Sequence, residues 1–138
     1  HDVLLTLGIF SLFYDLIPGL NLEIDLTIIA AFLTLIGYSI NDTVIVFDRV
    51  RETMKIHKNA PLEELMNEAV NKTMSRTILT GGTTILTTII LLIFGGEVIR
   101  SFAFTLFFGI VVGTYSSIFV ASAFVLEYVN KKKINIDF

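Results

Sequence analysis

The residues of this chain best suited to chemistry stand inside apolar runs. Asp42 lies within the stretch from Leu26 to Phe47, with Tyr38 and Asn41 just ahead of it and Arg49 just beyond. Thr34, Tyr38, Asn41, Asp42 and Arg49 are separated by steps that bring them onto one stripe of a helix, while Ile28, Ile29, Phe32 and Ile36 can face elsewhere. Further along, Arg76, Thr80, Thr83 and Thr87 repeat in the same way, interleaved with Gly81 and Gly82, which let a second backbone approach closely. A carboxyl, a guanidinium and a row of hydroxyls inside apolar helices can line an interior polar pathway, with Asp42 as a functional ionisable group. Cysteine is absent, and the remaining residues offer no nucleophile or metal cluster, so neither covalent catalysis nor a bound metal is expected.

Asp42 carries most of this reading. It sits about five residues, or roughly 7 Å, inside Phe47, where an ionised carboxylate costs about 3 kcal/mol or more unless water or a partner relieves it. Other readings exist for each feature. An aspartate near a helix end can snorkel to water or cap a neighbour, and threonines between packed helices often satisfy backbone carbonyls. Gly109 and Gly113 form a GxxxG pair, which points to helix packing. His57 reads as a solvated loop residue. His1 and Asp2 are adjacent polar residues at the head of an apolar run, a functional hint without upstream context.

The elements that position these groups are membrane helices. The 138 residues are 54% hydrophobic and 17% charged, with a mean hydropathy of +0.77, far from a soluble domain. Leu26 to Phe47, at about 1.5 Å per residue, crosses roughly 33 Å, enough for a hydrocarbon core of about 30 Å. Thr77 to Phe94 is a shorter span and Phe102 to Val129 a longer one. The apolar run from Val3 to Phe13 is too short to cross by itself, and residues 1–14 read as the second half of a helix that begins upstream. Between them lie an acidic Pro/Gly loop from Tyr14 to Asp25, a tight turn from Gly95 to Arg100, and a hydrophilic segment from Asp48 to Arg76. That segment carries its own amphipathic helix over about 61–73. Pro61 suits its first position, Glu63 and Glu64 its positive end, and Leu62, Leu65, Met66, Ala69 and Val70 one apolar face. This face is expected along the membrane surface or against the cytoplasmic helix ends, with a docking surface for a partner protein as the alternative.

The fold class is therefore all-α, one polytopic membrane bundle over residues 1–138. Its orientation follows from basic residues. Arg49, Arg51, Lys55, Lys58, Lys72 and Arg76 flank the hydrophilic segment and Lys131, Lys132 and Lys133 follow the last span, leaving only Arg100 on the other side. The positive-inside rule makes residues 48–76 and the C-terminus cytoplasmic. Since the second and third helices run antiparallel, Arg76 begins its helix near the depth of Asp42, and the two are expected to face one interior polar path.

The string from Gly37 to Glu52, Gly-Tyr-Ser-Ile-Asn-Asp-Thr-Val-Ile-Val-Phe-Asp-Arg-Val-Arg-Glu, resembles the signature of the SecF family. Its Asn-Asp-Thr core separates it from the related SecD subunit, whose helix usually reads Asp-Ala-Asn. His1 and Asp2 with the following Val-Leu-Leu-Thr-Leu-Gly, the segment Asn71 to Thr80, and Phe94 to Gly96 extend the resemblance over almost the whole chain.

That resemblance implies half of the membrane domain of a transporter similar to the resistance-nodulation-division (RND) class. It places the protein in the bacterial inner membrane beside SecD, the SecYEG translocon and YajC, with preprotein gripped by a periplasmic domain not contained in these residues. No nucleic acid is expected, the only other contact being membrane lipid. It also assigns Asp42 and Arg76 to the family's proton pathway, with no cofactor beyond the coupling ion, expected to be a proton, and sodium as the alternative. Two other functions compete: an RND-type exporter of small hydrophobic molecules, and a passive scaffold.

The topology is open to a direct test. An impermeant thiol reagent added from outside should label a cysteine placed at Glu23 or Glu97 and miss one at Lys58. Labelling at Lys58 instead would invert the orientation.

Overall fold

In the computed structural model, residues 1–14, 16 and 23–132 are described, and every described element is helical. Most of the acidic loop expected between Tyr14 and Asp25, and Lys133 with the tail beyond it, lie outside the described residues. α1 spans Asp2–Phe13 and α2 Leu26–Ile56. α3 spans Leu62–Phe94, α4 Glu97–Tyr115 and α5 Ala121–Lys132, with a single π-helical segment, Ser116–Val120, joining the last two. Among the described residues, three helices are long and apolar enough to cross a membrane: α2 with 31 residues, α3 with 33, and the continuous run Glu97–Lys132 with 36.

The spans are longer than hydropathy alone suggests. α2 does not stop at Phe47 but continues to Ile56, and α3 is one helix from Leu62 rather than an amphipathic helix over 61–73 followed by a separate span over 77–94. The fall in hydropathy from Asp48 to Arg76 reports where the chain leaves lipid, not where the helix ends. Glu, Lys, Leu, Met and Ala in this stretch are good helix formers, and its only proline is Pro61. Asp25 caps α2, its carboxylate accepting from Ile28 N at 2.9 Å. Pro61 stands at the N-cap of α3, one position before the first helical residue, and Glu63 and Glu64 occupy the first turn. At the far end the connection between α3 and α4 narrows to Gly95 and Gly96, so Glu97 to Arg100 belong to the helix and not to the turn expected there. A side chain on Gly95 would lie 2.3 Å from the Leu91 carbonyl oxygen, so glycine is required.

The two helical extensions form an antiparallel hairpin beyond the apolar spans. Its core is Val50 of α2 with Met66 and Ala69 of α3, packed against Phe47, Met54, Val125 and Leu126. The apolar face of residues 62–70 is thus covered by α2 and α5. At the opposite end Phe10, Ile28 and Phe104 form a second cluster with Phe13, Phe32 and Phe108. Between them α4 runs as the central helix, burying Ala103, Leu106, Gly109, Ile110 and Gly113.

Close approach of α2 and α4 depends on Gly109. A Cβ there would sit 2.7 Å from Leu35 Cδ1, and Leu35 is fully buried. Gly113 is looser, with Ser39 Cβ 3.7 Å away, and a Cβ on Gly82 meets nothing within 4 Å. Of the four glycines expected to pack helices, Gly109 and Gly81 do so tightly, whereas Gly82 faces out from the described bundle. Gly109→Val should therefore lower stability in detergent by about 1–3 kcal/mol through overpacking. Gly82→Ala should leave it unchanged or raise it by up to about 1 kcal/mol through helix propensity. Thermal unfolding of the two variants, followed by circular dichroism, checks this ranking.

Candidate functional site

Asp42 projects inward from the middle of α2 and is only 6% exposed. Its partners come from other helices, as a carboxyl inside a bilayer requires. Oδ1 accepts from Thr77 Oγ1 of α3 at 3.4 Å. On the α4 side, the Ser117 hydroxyl stands beside the carboxyl. It lies 3.0 Å from Thr43 Oγ1 and donates to the Ser39 carbonyl at 3.5 Å. Oδ2 is buried with no hydrogen-bond partner among the described residues.

Ser117 stands four residues after Gly113 and seven after Ile110, on the same buried face of the helix. It lies in the π segment, whose wide turn is closed by Ala121 N donating to the Ser116 carbonyl and which buries Ser116, Ser117 and Ile118.

One turn outward from Asp42, Tyr38 points between α3 and α4. A Cβ on Gly81 would lie 3.3 Å from the Tyr38 hydroxyl and 3.1 Å from Thr114 Oγ1, so the glycine keeps room for both oxygens. The two buried hydroxyls stand together in the seam, Thr114 beside the Tyr38 phenol.

Arg76 is placed differently from expectation. Its side chain is exposed, and among the described residues it forms no ion pair with Asp42. It lines a cleft of about 220 Å³ with Asp48, Arg49 and Glu52 of α2 and Lys72 of α3. From there its charge still bears on the Asp42 carboxyl. Arg49, which shares the sequence stripe of Asp42, is engaged with Glu52. The hairpin also carries an exposed Glu68–Lys72 pair, in which the Lys72 ammonium holds the Glu68 carboxyl below its usual range. Such exposed pairs contribute little to stability.

The hydroxyl stripe of α3 lies on a different face from the one that meets Asp42. Thr80, Thr83 and Thr87 are exposed, and Thr83 and Thr87 donate to carbonyls of their own helix. The inward face of α3 is instead Thr73, Thr77, Gly81 and Thr88. Starting the stripe at Arg76 rather than Thr77 rotates the reading by one residue, about 100° around the helix. Asn41 is exposed for the same reason, being a neighbour of Asp42 along the chain but not on its face. Tyr38 is the one member of the expected supporting stripe that stands at the seam. Thr77, Ser39, Thr43, Thr114 and Ser117 were not singled out. The spacing of Thr77 and Gly81 could have revealed the first of them, since a tightly packed glycine marks the buried face.

The comparisons with known proteins agree with this architecture. The family described as "Protein export membrane protein SecD/SecF, C-terminal" matches residues 1–131. The protein translocase subunit SecF of Rhodothermus marinus is 64% identical over 127 residues, which cover 92% of this chain and 41% of the relative. The protein translocase subunit SecDF of Thermus thermophilus is 47% identical over 133 residues, covering 96% of this chain and 17% of that one. A crystal structure of SecDF from Thermus thermophilus, titled a translocon-associated membrane protein, superposes with a TM-score of 0.84 at 47% identity, covering 94% of this chain and 17% of that one. This chain thus spans well under half the length of the relatives it matches. With a bundle that superposes on the SecDF membrane domain and a family match over nearly its full length, the chain belongs to the SecD/SecF family of protein export membrane proteins.

Proposed function

We propose that this chain forms one membrane half of a protein-export translocase and couples proton flow across the bacterial inner membrane to movement of preprotein. The observation that carries the reading is Asp42, a carboxyl buried between three helices and served only by side-chain hydroxyls, Thr77 of α3 and Ser117 beside it. A carboxyl held by hydroxyls, which can both donate and accept, can change its proton without dismantling the bundle.

Low-dielectric surroundings favour a carboxyl's neutral form, and a nearby cation favours its ionised form. Arg76, free of an ion pair with Asp42 among the described residues and lining the cleft between α2 and α3, could act as that cation. Moving it toward or away from Asp42 would switch the carboxyl between holding and releasing a proton. Each protonation changes whether Asp42 can accept or donate, and so changes which of Thr77 and Ser117 it holds. Helix packing then follows the proton, and the motion passes to the periplasmic domain that grips the preprotein. The work is transport, not catalysis.

The exposed polar stripes support pairing with a second half of the SecD type. Asn41 on α2 and Thr80, Thr83 and Thr87 on α3 face out from the described bundle at membrane depth, where lipid offers polar groups nothing. Helices of a partner subunit would cover them, and SecYEG and YajC would complete the assembly. The scaffold reading and the small-molecule exporter reading have no comparable observation in their favour.

In vesicles with an imposed proton gradient, Asp42→Asn keeps the shape and hydrogen-bonding capacity of the side chain but cannot lose a proton. The variant should reach normal levels in the complex and translocate preprotein with ATP alone at the basal rate, yet gain little from the gradient. Arg76→Met should behave similarly. Full gradient stimulation in Asp42→Asn would transfer α2 to the scaffold reading.

A further inference from the structure

A second carboxyl sits in the same seam. Asp2, at the start of α1, is largely buried, with its side chain 12% exposed. Its Oδ2 accepts from Ser39 Oγ of α2, and its Oδ1 lies 2.8 Å from His1 Nδ1. α4 closes the third side, where a Cβ on Gly113 would stand 3.8 Å from Oδ2. Ser39 is the joint between the two carboxyls. Its hydroxyl serves Asp2 and its carbonyl accepts from Ser117, which stands beside Asp42. Ser39 and Asp42 are three residues apart on α2, about 4.5 Å along the axis and on one face. A carboxyl kept at membrane depth and shielded by two other helices is costly to retain for packing alone.

We propose that Asp2 is a second proton-binding carboxyl of the pathway, linked to Asp42 through Ser39 and Ser117. This rests on the proton-coupling reading of Asp42. The link works by reversal of one hydrogen bond. Ionised, Asp2 can only accept, and the Ser39 hydroxyl donates to it. When Asp2 takes up one proton, its own O–H becomes a donor and Ser39 Oγ can accept, leaving the Ser39 hydrogen free to turn toward another acceptor in the seam. No heavy-atom bond changes and one proton is gained. The groups facing Asp2 are few. His1 is the titratable neighbour on its own helix, and α2 presents Ser39 with Asp42 a turn further in. Tyr38 lies on the side of α2 turned to Gly81 and Thr114, and α4 and the π segment contribute the uncharged Gly113 and Ser117.

The test uses the full-length protein with its partner half in vesicles, measuring gradient-driven proton flux as a function of pH beside protein abundance. Asp2→Asn retains an acceptor for Ser39, whereas Asp2→Ala does not, so a merely structural anchor would be rescued by Asn. The proposal expects Asp2→Asn at normal abundance with flux reduced by about ten-fold or more, as Asp42→Asn should be. Normal flux in Asp2→Asn, with Asp42→Asn inactive, overturns the role of Asp2 and leaves the proposed function standing. Normal flux in Asp42→Asn overturns both. If Asp2→Asn fails to assemble, Ser39→Ala decides: it keeps both carboxyls and breaks their link, so the pH at half-maximal flux should shift, and an unmoved midpoint overturns the proposal.

Discussion

A carboxyl at membrane depth must find its hydrogen-bond partners on other helices, and the arrangement of this bundle follows from that constraint. Lipid supplies no donor, and the backbone of α2 is committed to its own ladder. Asp42 therefore requires that α3 and α4 both come close enough to present side-chain hydroxyls, Thr77 from one and Ser117 from the end of the other. The same requirement recurs at Asp2, which takes its partner from α2. Polar contacts between helices thus set which faces meet, while apolar clusters above and below the seam hold those faces in place.

Two backbone features make the approach possible. Gly109 removes a side chain where Leu35 must fit, and Gly81 does so where Tyr38 and Thr114 crowd together. The π segment extends the buried face of α4, with Ser117 one turn beyond Gly113 and Ser116 and Ile118 buried beside it. Packing here is not an alternative to function. The small residues along this face are the means by which hydroxyls reach a carboxyl that lipid cannot serve.

The spans, the fold class and the inward placement of Asp42 were legible because each rests on a strong signal: hydropathy for the first two, a lone acidic residue in an apolar run for the third. The helix ends were not, since the charged stretch between Asp48 and Arg76 leaves the membrane without ceasing to be helical. Spacing does not separate Thr80, Thr83 and Thr87 from Thr77, because a stripe counted from Arg76 is indistinguishable by period from one counted one residue later. Only the tight contact at Gly81 separates them. Ser117 continues the spacing of Gly109 and Gly113 by one more turn, a signal that a GxxxG pair read by itself leaves unused. Arg76 was legible as a cation where the apolar part of α3 begins, but its exposed position without an ion pair to Asp42 is a matter of rotamer and helix phase that spacing does not determine.

The central claim is that Asp42 gains and loses a proton while the bundle stays assembled. Infrared difference spectroscopy on the full-length protein in vesicles, stepped in pH with Asp42→Asn as the subtraction reference, observes this directly. The account predicts a carboxylic C=O band that is absent from Asp42→Asn and that appears and disappears across the pH range in which a gradient stimulates translocation. A band, or its absence, that stays unchanged over that whole range would mean that Asp42 keeps one protonation state, and would contradict the account.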